Sequence, residues 1–347
     1  MDKYGLVLEG GGARGAYHVG AYLALCELGF KFQAIVGSSI GAINAAMFVS
    51  GDSYDCLRAW RSLDLEYFNK NIEISNKNFK NLDLIEIIKN RLNEITKKIT
   101  DIGVSPQPLF DLVDKLICED KIRNSQIDFG LCTVNISDFK SEELFCEDMP
   151  EGQIKNYIIA SCYLPIFKMR PINGKYYLDG GFHSQAPINM VLKKGLTPIV
   201  IRLKNLPIND DLSQAKYIIS PKHSLGKIMD FDPEKSDNLI RLGYFDTYKE
   251  IKNLKGYDYY IKEIPEEDSL KYIYMILKNS LKENENLLMR YIVENLIPKM
   301  AKEFNVKNDY DYRDILYLLI EREAKKKHID RLKIYSVDEL VGEIISG

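Results

Sequence analysis

The chain has 347 residues, a formal net charge of −3, and 46% apolar against 28% charged side chains, which is the composition of a globular protein with ample material for a core. The near balance of charge excludes a global basic field of the kind that draws a protein to nucleic acid. Its cysteines (Cys26, Cys56, Cys118, Cys132, Cys146 and Cys162) form no C-x-x-C pair and no Cys/His cluster at zinc spacing, so free thiols in a reducing compartment are expected, with neither a disulfide framework nor a bound metal.

Tyr4 to Leu8 reads as a short buried strand running into Gly10-Gly11-Gly12. From Gly15 to Leu28, Val19, Tyr22, Leu23 and Cys26 recur at helical spacing, and Gly29 is placed to stop that helix. Phe32 to Val36 is a second strand, which enters Gly37-Ser38-Ser39-Ile40-Gly41 and then a small-residue helix over 42–49, closed near Gly51. Strand, helix, strand, helix predicts a parallel sheet with covering helices.

Residues 62–126 shift to Asn, Lys, Ile and Leu, with Leu84, Ile87, Ile88, Leu92, Ile95 and Ile99 at i, i+3/i+4 spacing. This reads as a helical insertion over the sheet that could act as a lid. Strands resume at Phe129 to Ile136, near Tyr176 to Leu178, and at Thr197 to Leu203; Asn173-Gly174 is a hairpin turn, and a short helix follows Pro187. Beyond Glu266 the pattern is helical and ends in a capping box, Ser336-Val337-Asp338-Glu339. Lys325 to Lys327 is expected to be a solvated helix face. The expected division is a domain over 1–260 and a helical extension over 261–347. The expected architecture is three-layer α/β/α with a mainly parallel central sheet. The apolar run behind Met1 is too short for a signal-peptide core, and no stretch approaches the ~18–20 apolar residues of a membrane span. A cytosolic protein with at most peripheral membrane contact is the expectation.

Gly10-Gly11-Gly12-Ala13-Arg14-Gly15 fits G-x-G-x-x-G between a strand and a helix, which raises a dinucleotide site. That reading needs an acidic residue at the end of the second strand, where Gly37-Ser38-Ser39 stands instead. A Walker loop is excluded, because no Gly-Lys-Ser/Thr follows. The same geometry, with close backbone approach and free N–H groups at a helix start, suits the oxyanion formed when an ester carbonyl is attacked. Arg14 would add charge there or brace the loop. A plain strand-to-helix turn is the alternative, although three consecutive glycines exceed what a turn requires.

Gly37 to Gly41 is a G-x-S-x-G match at a strand-to-helix turn, the setting in which such a serine is exposed as a nucleophile. Ser39 then needs a base. A Ser…Asp…His order could be filled by Ser39, Asp179 and His223 or His328, giving a triad esterase on small soluble esters. Only one strand–helix unit precedes Ser39, however, and neither late histidine sits in a motif. A non-enzymatic lipid- or partner-binding protein is the other alternative.

Taken together these segments resemble the patatin-like phospholipase family. A glycine-rich loop follows the first strand (Gly10 to Gly15), G-x-S-x-G follows the second (Gly37 to Gly41), and Asp179-Gly180-Gly181 comes later. Ala160 to Phe167 is similar to the family's Ser-x-x-x-Pro segment, and the stretch through Gly243-Tyr244 to its closing helix. The resemblance covers roughly residues 4–250 and implies the family's α/β/α fold. It implies an acyl hydrolase of phospholipids, lysophospholipids or other acyl lipids that uses a Ser–Asp dyad without histidine or metal. Ser39 would be the nucleophile, Asp179 the proton acceptor, and the loop from Gly10 through Gly11, Gly12, Ala13 and Arg14 to Gly15 the oxyanion hole, with no cofactor. A carboxylate at its ordinary pKa of ~3.9 is a weak base at neutral pH, so burial of Asp179 is expected to raise it.

Overall fold

The computed structural model describes residues 3–51, 53–63, 105–278, 285–306 and 309–346. Most of the expected insertion, including Leu84 to Ile99, lies outside these residues. The chain divides into two compact units, Met1–Thr247 and Tyr248–Gly347.

The first unit is built on a sheet whose strands are β1 (Tyr4–Leu8), β2 (Phe32–Ser38), β3 (Asp128–Asn135), β4 (Lys140–Phe145), β5 (Tyr177–Leu178), β6 (Thr197–Ile201) and β7 (Tyr217–Ile219). Their order is β4-β3-β2-β1-β6-β7, with β5 also paired to β3. The pairs β3–β2, β2–β1, β1–β6 and β6–β7 are parallel, whereas β4 and β5 run antiparallel to β3. The chain is thus α/β with a mostly parallel central sheet. Its inner strands are apolar on both faces because both are covered. Val7, Ala34, Val36 and Val200 pack with Ile188, Met190 and Val191 of the helix Ile188–Lys193. The alternate residues Leu6, Leu8 and Ile35 are buried as well.

Two helices frame the glycine loop and the elbow: α1 (Ala16–Glu27) and α2 (Ile40–Val49). Both are nearly all small or apolar and sit inside the unit, where the rings of Tyr22 and Phe48 stack at 4.0 Å. Gly29 ends α1 at φ 86°, and the backbone bonds from Gly29 N to Cys26 O and from Phe30 N to Leu25 O close the turn. Asn173 and Gly174 take φ 51° and 75° between paired Ile172 and Lys175, the two-residue hairpin that the dipeptide predicts. Residues 107–116 and 119–123 are helical; so is α3 (Ser53–Ser62).

The second unit is helical around a core of Ile273, Ile292, Ile315, Leu316, Leu319, Ile320 and Leu340. It also contains a parallel two-stranded pairing, Tyr260–Ile261 with Ile334–Tyr335, that the helical pattern does not announce. The Ser336–Glu339 box forms as read: Glu339 N donates to Ser336 Oγ at 3.2 Å and Ser336 N to Glu339 Oε2 at 2.8 Å. Buried Glu321 accepts the N–H groups of Tyr257, Asp258 and Tyr259 on one oxygen, at 2.6, 2.8 and 2.8 Å. Lys325 and Lys326 pair with Asp258 and Glu323.

Candidate active site

Strand β3 aligns the two chains that meet at the site. β2 runs parallel to it and its last residue, Ser38, lies opposite Cys132. β5 runs antiparallel to it, with Leu178 opposite Val134. The residue after each strand, Ser39 from one direction and Asp179 from the other, therefore arrives level with Thr133. The Thr133 hydroxyl fixes that arrival by donating to Leu178 O at 3.0 Å. There Ser39 Oγ donates to Asp179 Oδ2 at 2.5 Å.

Ser39 occupies φ 54°, ψ −128° at the head of α2, a conformation that costs a non-glycine residue energy and persists only when its surroundings enforce it. Gly37 and Gly41 make the tight elbow possible. A Cβ on Gly37 would run into the backbone of Gly41, and one on Gly41 into the carbonyl of Leu8. The Ser39 N–H donates to the hydroxyl of fully buried Ser161 at 3.0 Å.

Asp179 is 4% exposed. Its other oxygen accepts the Gly181 N–H at 2.8 Å, and its own N–H donates to Tyr163 O at 2.9 Å. Burial pushes the carboxyl up to about 6, against the smaller downward pulls of the Ser39 hydroxyl, the Gly181 N–H and the charge of Lys204. Gly180 lets the following turn lie on β3, since a Cβ there would meet the Cys132 carbonyl. The thiols of Cys132 and Cys162 flank the carboxylate, and burial drives both up, Cys132 to about 12. They are held as neutral packing groups.

The glycine loop passes over the elbow: a Cβ on Gly10 would sit 3.3 Å from both Ser38 O and Ser39 Cβ. Gly12 has φ 60°, and a side chain there would strike Ile228 O. Two of the amides that the sequence suggests as oxyanion donors are engaged elsewhere. The Gly10 N–H is used by Gln185 O at 3.0 Å and the Ala13 N–H by Ile228 O at 2.7 Å. Both anchor the loop ends, which leaves Gly11 and Gly12 as the candidates at its crest. Arg14 braces the loop through Nε to Gly226 O at 2.8 Å, and Gly15 O accepts from Asn44 Nδ2 at 2.9 Å. Glu9, Arg202 and Asp210 hold the loop from behind and had no motif to mark them. Asp210 takes the Ser184 hydroxyl and the N–H groups of Gln185 and Ala186, at 2.6, 2.9 and 3.1 Å.

The first unit's histidines make no contact with the Ser39–Asp179 bond. His18 is buried against Asn44, His183 lies 3.4 Å from Glu143, and His223 is in an exposed loop. No imidazole stands between Ser39 and Asp179, which touch directly.

The patatin-like phospholipase family model matches residues 6–192. A probable lipid hydrolase of invertebrate iridescent virus 6 is 28% identical over 56% of this chain and 69% of its own. A protein of Borrelia garinii subsp. bavariensis named lysine–tRNA ligase is 27% identical over 70% of this chain, which spans only 39% of that relative's length. The crystal structure of VipD from Legionella pneumophila covers 100% of this chain and 86% of its own at 14% identity, with a TM-score of 0.42. With more than half of its length matched by the family model, this chain belongs to the patatin-like phospholipase family.

Proposed function

We propose that this chain hydrolyses carboxylic ester bonds of acyl lipids through Ser39 and Asp179. The observation that carries the reading is the direct 2.5 Å hydrogen bond from Ser39 Oγ to a buried carboxylate, made from a strained elbow at a helix head. In this mechanism Ser39 Oγ attacks the ester carbonyl and its proton passes to Asp179. The oxyanion forms under the Gly11 and Gly12 amides, at the positive end of α2. Collapse expels the alcohol, which takes the proton back from Asp179, and leaves Ser39 acylated. Water then attacks the acyl-enzyme with Asp179 again as base, releasing the fatty acid and restoring the hydroxyl. A carboxylate with a pKa near 6 is a competent base at neutral pH and is still mostly ionised there.

The family and the relative named a lipid hydrolase support acyl lipids as the substrate class. Among the described residues no helix is long and apolar enough to cross a membrane. A triad through a histidine is the weaker reading, because the serine proton already has a carboxylate acceptor. A fluorophosphonate probe, followed by release of fatty acid from phosphatidylcholine, lysophosphatidylcholine and diacylglycerol, tests the proposal. Rapid labelling and turnover that both vanish in Ser39→Ala are expected. Turnover retained in a folded Ser39→Ala protein would overturn it.

A further inference from the structure

We propose that Ser161 is a positioning residue for the nucleophile, and that the three-residue segment Ser161-Cys162-Tyr163 sets the spacing of the Ser39–Asp179 pair. The inference rests on the hydrolase reading above and extends it to residues that touch no substrate.

The geometry is specific. Ser161 closes the helix Ile154–Ser161, is fully buried, and its hydroxyl oxygen receives the Ser39 N–H at 3.0 Å. Two residues later the Tyr163 carbonyl receives the Asp179 N–H at 2.9 Å. One short stretch therefore grips the backbone of both reacting residues, each at the atom next to its own Cα. The stretch is itself fixed. Cys162 N donates to Ile158 O and Ile159 O as the helix ends. The Tyr163 hydroxyl donates to Lys168 O at 2.5 Å and accepts from Arg170 N at 3.0 Å, pinning the loop that follows.

Ser39 needs this support more than an ordinary residue would. Its φ is positive, its N–H points away from the α2 ladder, and an unpartnered N–H in this setting favours relaxation of the elbow. Relaxation would rotate Cα–Cβ and draw Oγ off Asp179. A shift of about 1 Å in a reacting group is enough to cost about 100-fold in rate. Ser161 acts only through the backbone, so its loss should lower turnover and leave substrate affinity alone.

The test uses Ser161→Ala, Ser161→Cys (similar volume, weak acceptor) and Ser161→Thr (hydroxyl kept) in the full chain. Hydrolysis of p-nitrophenyl butyrate and second-order labelling by a fluorophosphonate are the readouts. Ser161→Ala and Ser161→Cys should lose about 10- to 100-fold in kcat and labelling, with KM changed less than about threefold, and Ser161→Thr should recover most of the loss. The acid limb of the pH–rate profile should also move to higher pH in the first two variants. The Ser39 hydroxyl is one of the groups that hold the Asp179 pKa down, beside the Gly181 N–H and Lys204, and a loosened bond lets it rise. Labelling within twofold of wild type in both folded variants would overturn the role of Ser161 alone. If Ser161→Ala does not fold, Ser161→Cys decides by the same criterion. No labelling of the wild-type chain would overturn the hydrolase reading and this role with it.

Discussion

Glu9 and Arg202 form an ion pair, Nε to Oε2 at 3.0 Å, across 193 residues of sequence and almost out of solvent. The same Glu9 oxygen takes the Leu203 N–H at 2.5 Å, while Arg202 also donates to Leu206 O at 2.7 Å. These bonds lock the end of β6 to the end of β1, directly behind the glycine loop. Leu203 packs so closely there that a Cβ on Gly11 would lie 2.7 Å from its Cδ1. The second Glu9 oxygen is buried with no hydrogen-bond partner among the described residues, so the pair is held at some expense.

Breaking one side of such a pair strands the other charge, which costs about 3–5 kcal/mol. Glu9→Gln and Arg202→Met should each lower stability on that order, and the double variant should cost clearly less than the sum. Urea unfolding of the three variants measures this as a double-mutant cycle. Additive losses would mean that the two side chains act independently. Glu9→Gln should also slow ester turnover, because the loop that carries Gly11 and Gly12 loses its backing.

With Asp179 as the proposed base, the activity should carry a defined pH dependence. Only the ionised form can take the Ser39 proton, so turnover should fall as pH drops through about 6, two pH units above the ordinary carboxylate range. Its effect on stability runs the other way. The folded chain binds a proton more readily than the unfolded chain between about pH 3.8 and 6, so stability declines as pH rises through that window. Above it, the buried charge costs on the order of 1–3 kcal/mol. Asp179→Asn should therefore be inactive and more stable than wild type at pH 8, with the gap closing toward pH 4. A gap that does not change with pH would refute the burial argument.

The sheet was readable from sequence wherever a mainly apolar run leads into a glycine-containing turn, as at Tyr4–Leu8 and Phe32–Ser38. Gly29 and Asn173-Gly174 likewise announced a helix end and a hairpin through their backbone preferences. Strand β4, Lys-Ser-Glu-Glu-Leu-Phe, escaped notice because an edge strand needs no apolar run, and β7 because it is three residues long. The motifs located Ser39, Asp179 and the glycine loop, but a pattern cannot distinguish a free N–H from one spent on a carbonyl. The engagement of Gly10 with Gln185 and of Ala13 with Ile228 depends on contacts 175 and 215 residues apart, and only the folded chain reveals them. Ser161 lay within a recognised segment, yet nothing local indicates that its hydroxyl meets the Ser39 backbone.

His18 should act as an acid-sensitive element of the core. It is fully buried on α1, its Nδ1 lies 3.2 Å from Asn44 Nδ2, and its Nε2 has no full hydrogen bond among the described residues. Asn44 in turn bonds Gly15 O and accepts from Trp60 Nε1 at 3.0 Å, so the imidazole belongs to the frame joining the loop, α2 and α3. Burial holds its pKa down at about 3, against 6.5 when exposed. The neutral ring's contribution is complete above 6.5 and is lost as pH falls from 6.5 toward 3. Between pH 7 and 4.5 the wild type should lose on the order of 2–3 kcal/mol more than His18→Gln does. Equal losses in parallel urea titrations would show that the ring does not titrate with unfolding.

Ser38 and Ser39 are adjacent, chemically identical and expected to behave oppositely. Ser38 ends β2 with its side chain wholly inside; its hydroxyl finds no stronger partner than the thiol of Cys132, and it faces Gly10 and Gly181. An unsatisfied buried hydroxyl contributes nothing favourable, so Ser38→Ala should be neutral or stabilising by up to about 1 kcal/mol. It should also keep activity within a few-fold, since the methyl fills the same space beneath the loop. Ser39→Ala removes the hydroxyl bonded to Asp179 and should abolish turnover and fluorophosphonate labelling. Its melting temperature should stay within a few degrees of wild type, because the substitution keeps the backbone bond that fixes the elbow and costs Asp179 only one of its hydrogen bonds. A Ser38→Ala protein that folds normally but loses activity as fully as Ser39→Ala would mean that the neighbouring hydroxyl takes part in the reaction, and the two-residue mechanism would have to be abandoned.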